Sequence, residues 1–232
     1  MEGGTRLVTV GGDHTIALPL IVDLSVPMVS GMPVYPGDPA VEIAPALTVA
    51  AGGVNVLGLH LGSQSGTHVD APFHIDDALP TLDDLPLERF VGPAAVVDAR
   101  GLPPRSPIGA GLVAPWLRPG VILLVATGWS DQWGTGGYLE HPYLAAEAAE
   151  SIAEAGVRTV GVDALSVDPT PAGDLPAHRA LCGAHAVIAE NLRNLGVLID
   201  AQAAGRPIEV SLLPLRIQGA DGAPVRAVAR VG

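Results

Sequence analysis

From Val54 to Asp70 apolar and other positions alternate with period two. Leu57, Leu59 and Leu61 interleave with Gly58, His60 and Gly62, and continuing the count puts Gln64, Gly66, His68 and Asp70 on one face. Residues two apart on an extended chain point the same way, whereas a helix repeats every 3.6 residues. The stretch therefore predicts a strand, stopped by Pro72. The runs AAVVDAR (from Ala94) and VILLVATG (from Val121) are continuously apolar, as in strands covered on both faces. ALPLIVDLS (Ala17 to Ser25) also reads as a buried strand, and the three prolines between Gly31 and Pro39 predict a loop. YLAAEAAESIAEAGV has helical spacing and composition, with Gly156 as its stop. RTVGVDALSVDP predicts a strand running into a turn. PAHRALCG predicts a helix broken at Gly183, and residues 208–231 predict a closing hairpin around Asp221-Gly222. Residues 1–17 are glycine-rich and form an expected tail or edge strand ahead of one domain, 18–232. Mixed strands and helices make this a single-domain α/β chain.

Composition narrows the function. The chain has 232 residues, 48% hydrophobic and only 16% charged, so it can bury a large core; at 3% aromatic, that core must come from Ala, Val, Leu and Ile. A net charge of −12 argues against a nucleic-acid partner. Cys182 is the single cysteine, so no internal disulfide forms, and its small apolar flanks, ALCGA, suit a buried structural thiol rather than a nucleophile. The N-terminus lacks the pattern of a signal peptide and no apolar run has the length of a membrane span. The expectation is a cytoplasmic protein with no membrane partner. Nucleophile-elbow, dinucleotide and phosphate-loop patterns are all missing.

The remaining chemistry concentrates in SQSGTHVDAPFH, residues 63–74. His68 and Asp70 share a face, and His74 follows a proline-bent turn that can fold it back. Imidazole with carboxylate suits zinc or manganese. On spacing alone, a polar hairpin end with hydrogen-bonded histidines fits equally well.

GTHVDAPFH resembles the signature of the metal-dependent cyclase family, which includes the bacterial kynurenine formamidases: His-x-Gly-Thr-His-x-Asp-x-Pro-x-His. DLSVPMVSGMPVYPGDP, ATGWSDQW, GVDALSVDP and LPAHRALCGAHAVIAENLRNL resemble further family segments, covering most of residues 20–195. The resemblance implies a swivelling β/β/α-type fold, with a central mixed β-sheet or barrel-like core and flanking helices. It implies metal-site roles for His68, Asp70, His74, His178 and Glu190. It also implies homodimers or larger homo-oligomers. The implied activity is hydrolysis of an amide or lactone bond in a small formylated or cyclic substrate, with a divalent ion, Zn or Mn, activating water and polarising the carbonyl. His178 and His74 are the expected proton-moving residues.

One position departs from the family pattern: Gln64 stands where the family has histidine. The strand count keeps Gln64 on the metal face, as a weaker oxygen ligand that favours one tight ion over two. The alternative is a non-catalytic metabolite-binding relative whose metal site has partly decayed. His14, His141 and His185 are expected to be surface or satisfied core histidines; His60 is the best exception, sharing the strand face. Asp163 and Asp168 are expected to cap their turn, Asp23 and Ser25 to bond local backbone, and Tyr35 and Trp129 to line a pocket or pack.

Overall fold

A computed structural model of the chain describes residues 7–9, 15–17, 19–171 and 173–232. A short antiparallel pair, β1 (Leu7–Thr9) and β2 (Thr15–Ala17), precedes β3 (Leu20–Asp23). Next come a hairpin of β4 (Glu42–Leu47) and β5 (Val56–His60) with α1 (Val49–Gly52) at its tip, then β6 (His68–Asp70) and β7 (Val91–Asp98). The middle of the chain holds β8 (Pro107–Ile108), α2 (Ala110–Val113), β9 (Ile122–Ala126), β10 (Tyr143–Leu144), α3 (Ala146–Glu154) and β11 (Thr159–Val162). The last third adds α4 (Pro176–Gly183), β12 (Val187–Glu190), α5 (Leu195–Ala203), β13 (Ile208–Ser211), β14 (Gly222–Pro224) and β15 (Val228–Val231).

Nine strands form one curled mixed sheet in the order β14-β6-β12-β11-β9-β7-β13-β15-β3. Its centre, β12-β11-β9-β7, is parallel, and the pairs on both sides are antiparallel. The apolar run of β9 shows why this centre forms. Ile122, Leu124 and Ala126 join one core with α5, while Leu123 and Val125 join a second core with α3 and α4. All five are buried, so both faces need apolar residues and no alternation appears. The helix predicted before Gly156 is α3. It buries Ala148, Ala149 and Ile152, and Gly156 follows it at φ +78°, the left-handed conformation in which helices commonly terminate.

Three expectations are corrected. Val54 to Asp70 is not one strand: β5 ends at His60 and belongs to the separate hairpin, a turn follows, and β6 begins at His68 in the main sheet. The intervening turn includes Gly66 at φ +67°, and a Cβ there would approach Met32 to 3.1 Å. The run from Ala17 yields β3, the edge strand of the sheet, with Val22 buried and Ile21 60% exposed; only one face is covered. Asp221-Gly222 is not the tip of a closing hairpin. β13 pairs with β15, while β14 leaves them to pair with β6, Gly222 opposite Asp70.

Candidate functional site

β6 lies between β12 and β14, and this placement builds the site. Glu190 on β12 sits directly across from His68, and β14 closes the other edge. His68 Nε2 is 3.4 Å from Asp70 Oδ1 and 3.6 Å from Glu190 Oε2. α4 delivers His178, whose Nε2 is 3.7 Å from Asp70 Oδ2 and 3.5 Å from Glu190 Oε1. The His74 ring centroid lies 5.9 Å from that of His178. With Gln64, these residues line one cavity of about 300 Å³, whose remaining wall includes Tyr35, Asp38, Leu165 and Leu175. That is the lower end of small-molecule sites. The six residues singled out in the sequence as metal-site candidates therefore meet in one place.

His68, His178 and Glu190 are each held by a hydrogen bond. The His68 Nδ1–H donates to Gly66 O at 2.8 Å, which leaves Nε2 to face the carboxylates. The same carbonyl accepts from Asn191 Nδ2 at 2.9 Å, and Tyr138 Oη donates to Asn191 Oδ1 at 2.8 Å. His178 Nδ1 donates to Asp168 Oδ2 at 2.7 Å, and Glu190 Oε1 accepts from the Val167 amide at 2.8 Å.

A cation fits this arrangement. His68, Asp70 and Glu190 offer three ligand atoms within 4.8 Å of one another, all from buried residues. Asp70 is 1% exposed, yet neither of its oxygens accepts a hydrogen bond. A buried carboxylate without donors is costly unless positive charge faces it. In the metal-free protein that charge comes from protons. Burial opposes ionisation of His68, but Asp70 and Glu190 override it and raise its pKa to about 9. Burial likewise opposes charge on His178, and Asp168, Asp70 and Glu190 raise it to about 10. Burial and the Asp70 charge push Glu190 up to about 7, while Asp70 itself, against its burial, is held low by His68 and His178. Nitrogen and oxygen donors in this mixture suit zinc or manganese chemistry.

Gln64 reaches the site although the strand count behind it fails. Its Nε2 donates to Asp221 Oδ2 at 2.8 Å and lies 3.2 Å from His74 Nδ1, while its Oε1 is buried without a partner. Asp221 was read only as a turn residue, and no spacing in the sequence links it to position 64 or 74.

The other candidates separate clearly. His60 is exposed on the β4–β5 hairpin, away from the cavity lining, so the strand-face exception does not hold. His141 is buried and satisfied, by Pro142 O and Thr170 Oγ1, both at 2.9 Å; His185 is exposed, and His14 lies outside the described residues. Asp163 clamps the Thr127-Gly128 loop, accepting from Thr127 N, Thr127 Oγ1 and Gly128 N at 2.6, 2.7 and 2.9 Å. Asp168 holds the start of α4 rather than its own turn: it accepts from the Ala177 and His178 amides and from the His178 imidazole. Asp23 accepts from the Ser25 amide as expected, and also pairs with Arg226. Tyr35 lines the cavity, whereas Trp129 packs on the second core and donates to Gly137 O. Cys182 is fully buried in α4, and burial pushes its thiol pKa up, in keeping with a structural role.

Sheet, cavity and donor set define a metal-dependent hydrolase, and comparison with known proteins agrees. The putative cyclase family model matches residues 22–169, more than half the chain. The chain is 36% identical to the kynurenine formamidase of Salinibacter ruber over 215 residues, covering 90% of this chain and 97% of that protein. Isatin hydrolase A from Ralstonia solanacearum superposes with a TM-score of 0.81 at 25% identity over 92% of each chain. A predicted metal-dependent hydrolase from Bacillus stearothermophilus superposes with a TM-score of 0.74 at 26% identity over 92% of this chain and 99% of that one. The chain belongs to the cyclase family.

Proposed function

We propose that this protein hydrolyses an amide or lactone bond in a small formylated or cyclic substrate, with an aryl formamide such as N-formylkynurenine as the first compound to test. The observation that carries the reading is the donor-free Asp70 carboxylate, buried between His68, His178 and Glu190. His68, Asp70 and Glu190 hold a zinc or manganese ion, with His178 or His74 completing the set and Gln64 Oε1 as a weak further oxygen. When bound, the ion activates water and polarises the substrate carbonyl.

The chain supplies the rest of the reaction. Tyr35, Leu165 and Leu175 give the cavity aromatic and apolar walls for a flat ring. His74, half-buried at the cavity wall, takes a proton from the attacking water and returns it to the leaving nitrogen or oxygen, and His178 takes that role if it is not a ligand. The test is turnover of a panel of aryl formamides, cyclic imides and lactones by chelator-stripped and reloaded protein. Metal binding without any turnover on that panel would favour a metabolite-binding relative instead; the complete set of charged donors supports the enzyme.

We further propose a homodimer. The β4–β5 hairpin is exposed along its length, with Leu57 and Leu59 59% and 62% exposed, and a lone two-stranded hairpin is marginal in water without cover. Residues 18–232 are taken as the hydrolase domain. A cytoplasmic location is supported by the single buried cysteine. Among the described residues, no helix is long and apolar enough to cross a membrane.

A further inference from the structure

Asp221 enters the site from outside the cavity wall. It precedes β14, and its backbone carbonyl accepts from the Ala71 amide at 2.8 Å, which ties it to the end of β6. Its Oδ2 faces two side chains of the cavity: Gln64 Nε2 at 2.8 Å and His74 Nδ1 at 3.3 Å. Asp221 is not among the residues lining the cavity, so its influence on a bound molecule passes through Gln64 and His74.

One carboxylate oxygen fixes the amide and favours one tautomer of the imidazole. A carboxylate only accepts, so the Gln64 amide must turn its NH₂ towards Asp221, leaving Oε1 as the amide atom without a partner. A neutral imidazole has one N–H; with that hydrogen on Nδ1 and directed at Asp221, the lone pair sits on Nε2. The 3.2 Å approach of Gln64 Nε2 to His74 Nδ1 follows from their sharing this acceptor. Gly222 makes room for the arrangement: a Cβ there would lie 2.7 Å from Gln64 Nε2 and 2.5 Å from Val69 O.

We propose that Asp221 is a positioning residue of this enzyme, whose single carboxylate oxygen orients the His74 ring and the Gln64 amide at the cavity wall, so that His74 keeps its lone pair on Nε2 and the Gln64 amide turns Oε1 away from Asp221. The proposal deepens the hydrolase reading above and rests on it for the consequence to catalysis, though not for the orientation itself.

Two measurements test it. The first reads the His74 tautomer by ¹⁵N NMR of histidine-labelled protein, in the wild type and in Asp221→Ala and Asp221→Asn; it needs no substrate. The expected result is an Nδ1–H ring in the wild type that shifts towards Nε2–H in Asp221→Ala. An unchanged tautomer overturns the proposal. The second is steady-state kinetics with elemental analysis on an aryl formamide. Asp221→Ala should lower kcat about 10–100-fold, the usual effect of losing such an outer partner, with KM and metal content within about twofold of wild type. Asp221→Glu should recover part of the loss, and Asp221→Ala should cost little more in a His74→Ala, Gln64→Ala background. Metal loss in step with activity, or an undiminished cost in that background, would overturn it. If no panel substrate turns over even in the wild type, the hydrolase reading fails while the NMR result still decides the orientation. Asp221→Asn keeps size and backbone contacts, so it serves if Asp221→Ala does not fold.

Discussion

The imidazole of His178 and its own backbone amide both donate to one oxygen, Oδ2 of Asp168, at 2.7 and 2.9 Å. Asp168 thus holds the first turn of α4 and the side chain that α4 delivers to the site with the same carboxylate, its other oxygen taking the Ala177 amide. Asp168→Ala would leave three buried N–H groups without an acceptor, each worth about 1–3 kcal/mol. It should unfold or strongly destabilise the protein. Asp168→Asn, which keeps one accepting oxygen, should stay folded and lose about 10–100-fold in metal affinity or kcat. Thermal unfolding together with metal titration checks both.

The metal-free and metal-loaded proteins should differ in how stability depends on pH. The folded-state values of His68 and His178, about 9 and about 10, lie above the ordinary histidine value of about 6.5. A raised histidine contributes stability that is complete below the unfolded value and is lost as pH rises through the folded one. Glu190, raised to about 7, acts in the same direction between roughly pH 4.5 and 7. The Tm of metal-free protein should therefore fall by several degrees from pH 6.5 to pH 10. A bound cation replaces these protons, so the loaded protein should lose much less over the same range, and metal affinity should climb with pH in that window.

Gln64 should limit metal content. Its amide nitrogen is committed to Asp221, and a neutral oxygen holds a divalent ion less well than imidazole does. Metal analysis should find about one tightly held ion per chain. Gln64→His should raise that content or tighten a second ion, and Gln64→Ala should reduce affinity less than His68→Ala.

How far the sequence reveals this site depends on what separates its parts. His68 and Asp70 are legible because they are two apart on a real strand, β6. Glu190 is 122 positions from His68; its pairing across β6 and β12 has no local trace and was available only through resemblance to a family. The apolar run of β9 is legible because burial on both faces leaves no polar position to interrupt it. His60 departs from the expected face because periodicity assumes continuous extended backbone, and the turn at residues 61–67 interrupts it. Asp221 was missed because Asp-Gly is also common turn chemistry. Only the pairing of β14 with β6, far apart in sequence, separates a site residue from a hairpin tip.

Cys182 should be inert in the native protein. It is fully buried in α4, with its thiol pKa pushed up by burial and then by Asp70, Glu190 and Asp168. Thiol reagents at pH 8 should modify it only after denaturation, and Cys182→Ala should retain metal binding at a modest cost in stability. Rapid native labelling that abolishes activity would revive a thiol mechanism.

The central claim is that turnover depends on a cation held at His68, Asp70 and Glu190. The most direct measurement titrates Zn²⁺ or Mn²⁺ into chelator-stripped protein while following hydrolysis of an aryl formamide and bound metal in the same samples. Activity should be absent without metal and rise in proportion to occupancy, levelling near one ion per chain. Asp70→Ala should neither bind nor turn over. Full turnover by protein shown to be metal-free, or by Asp70→Ala, would contradict the account.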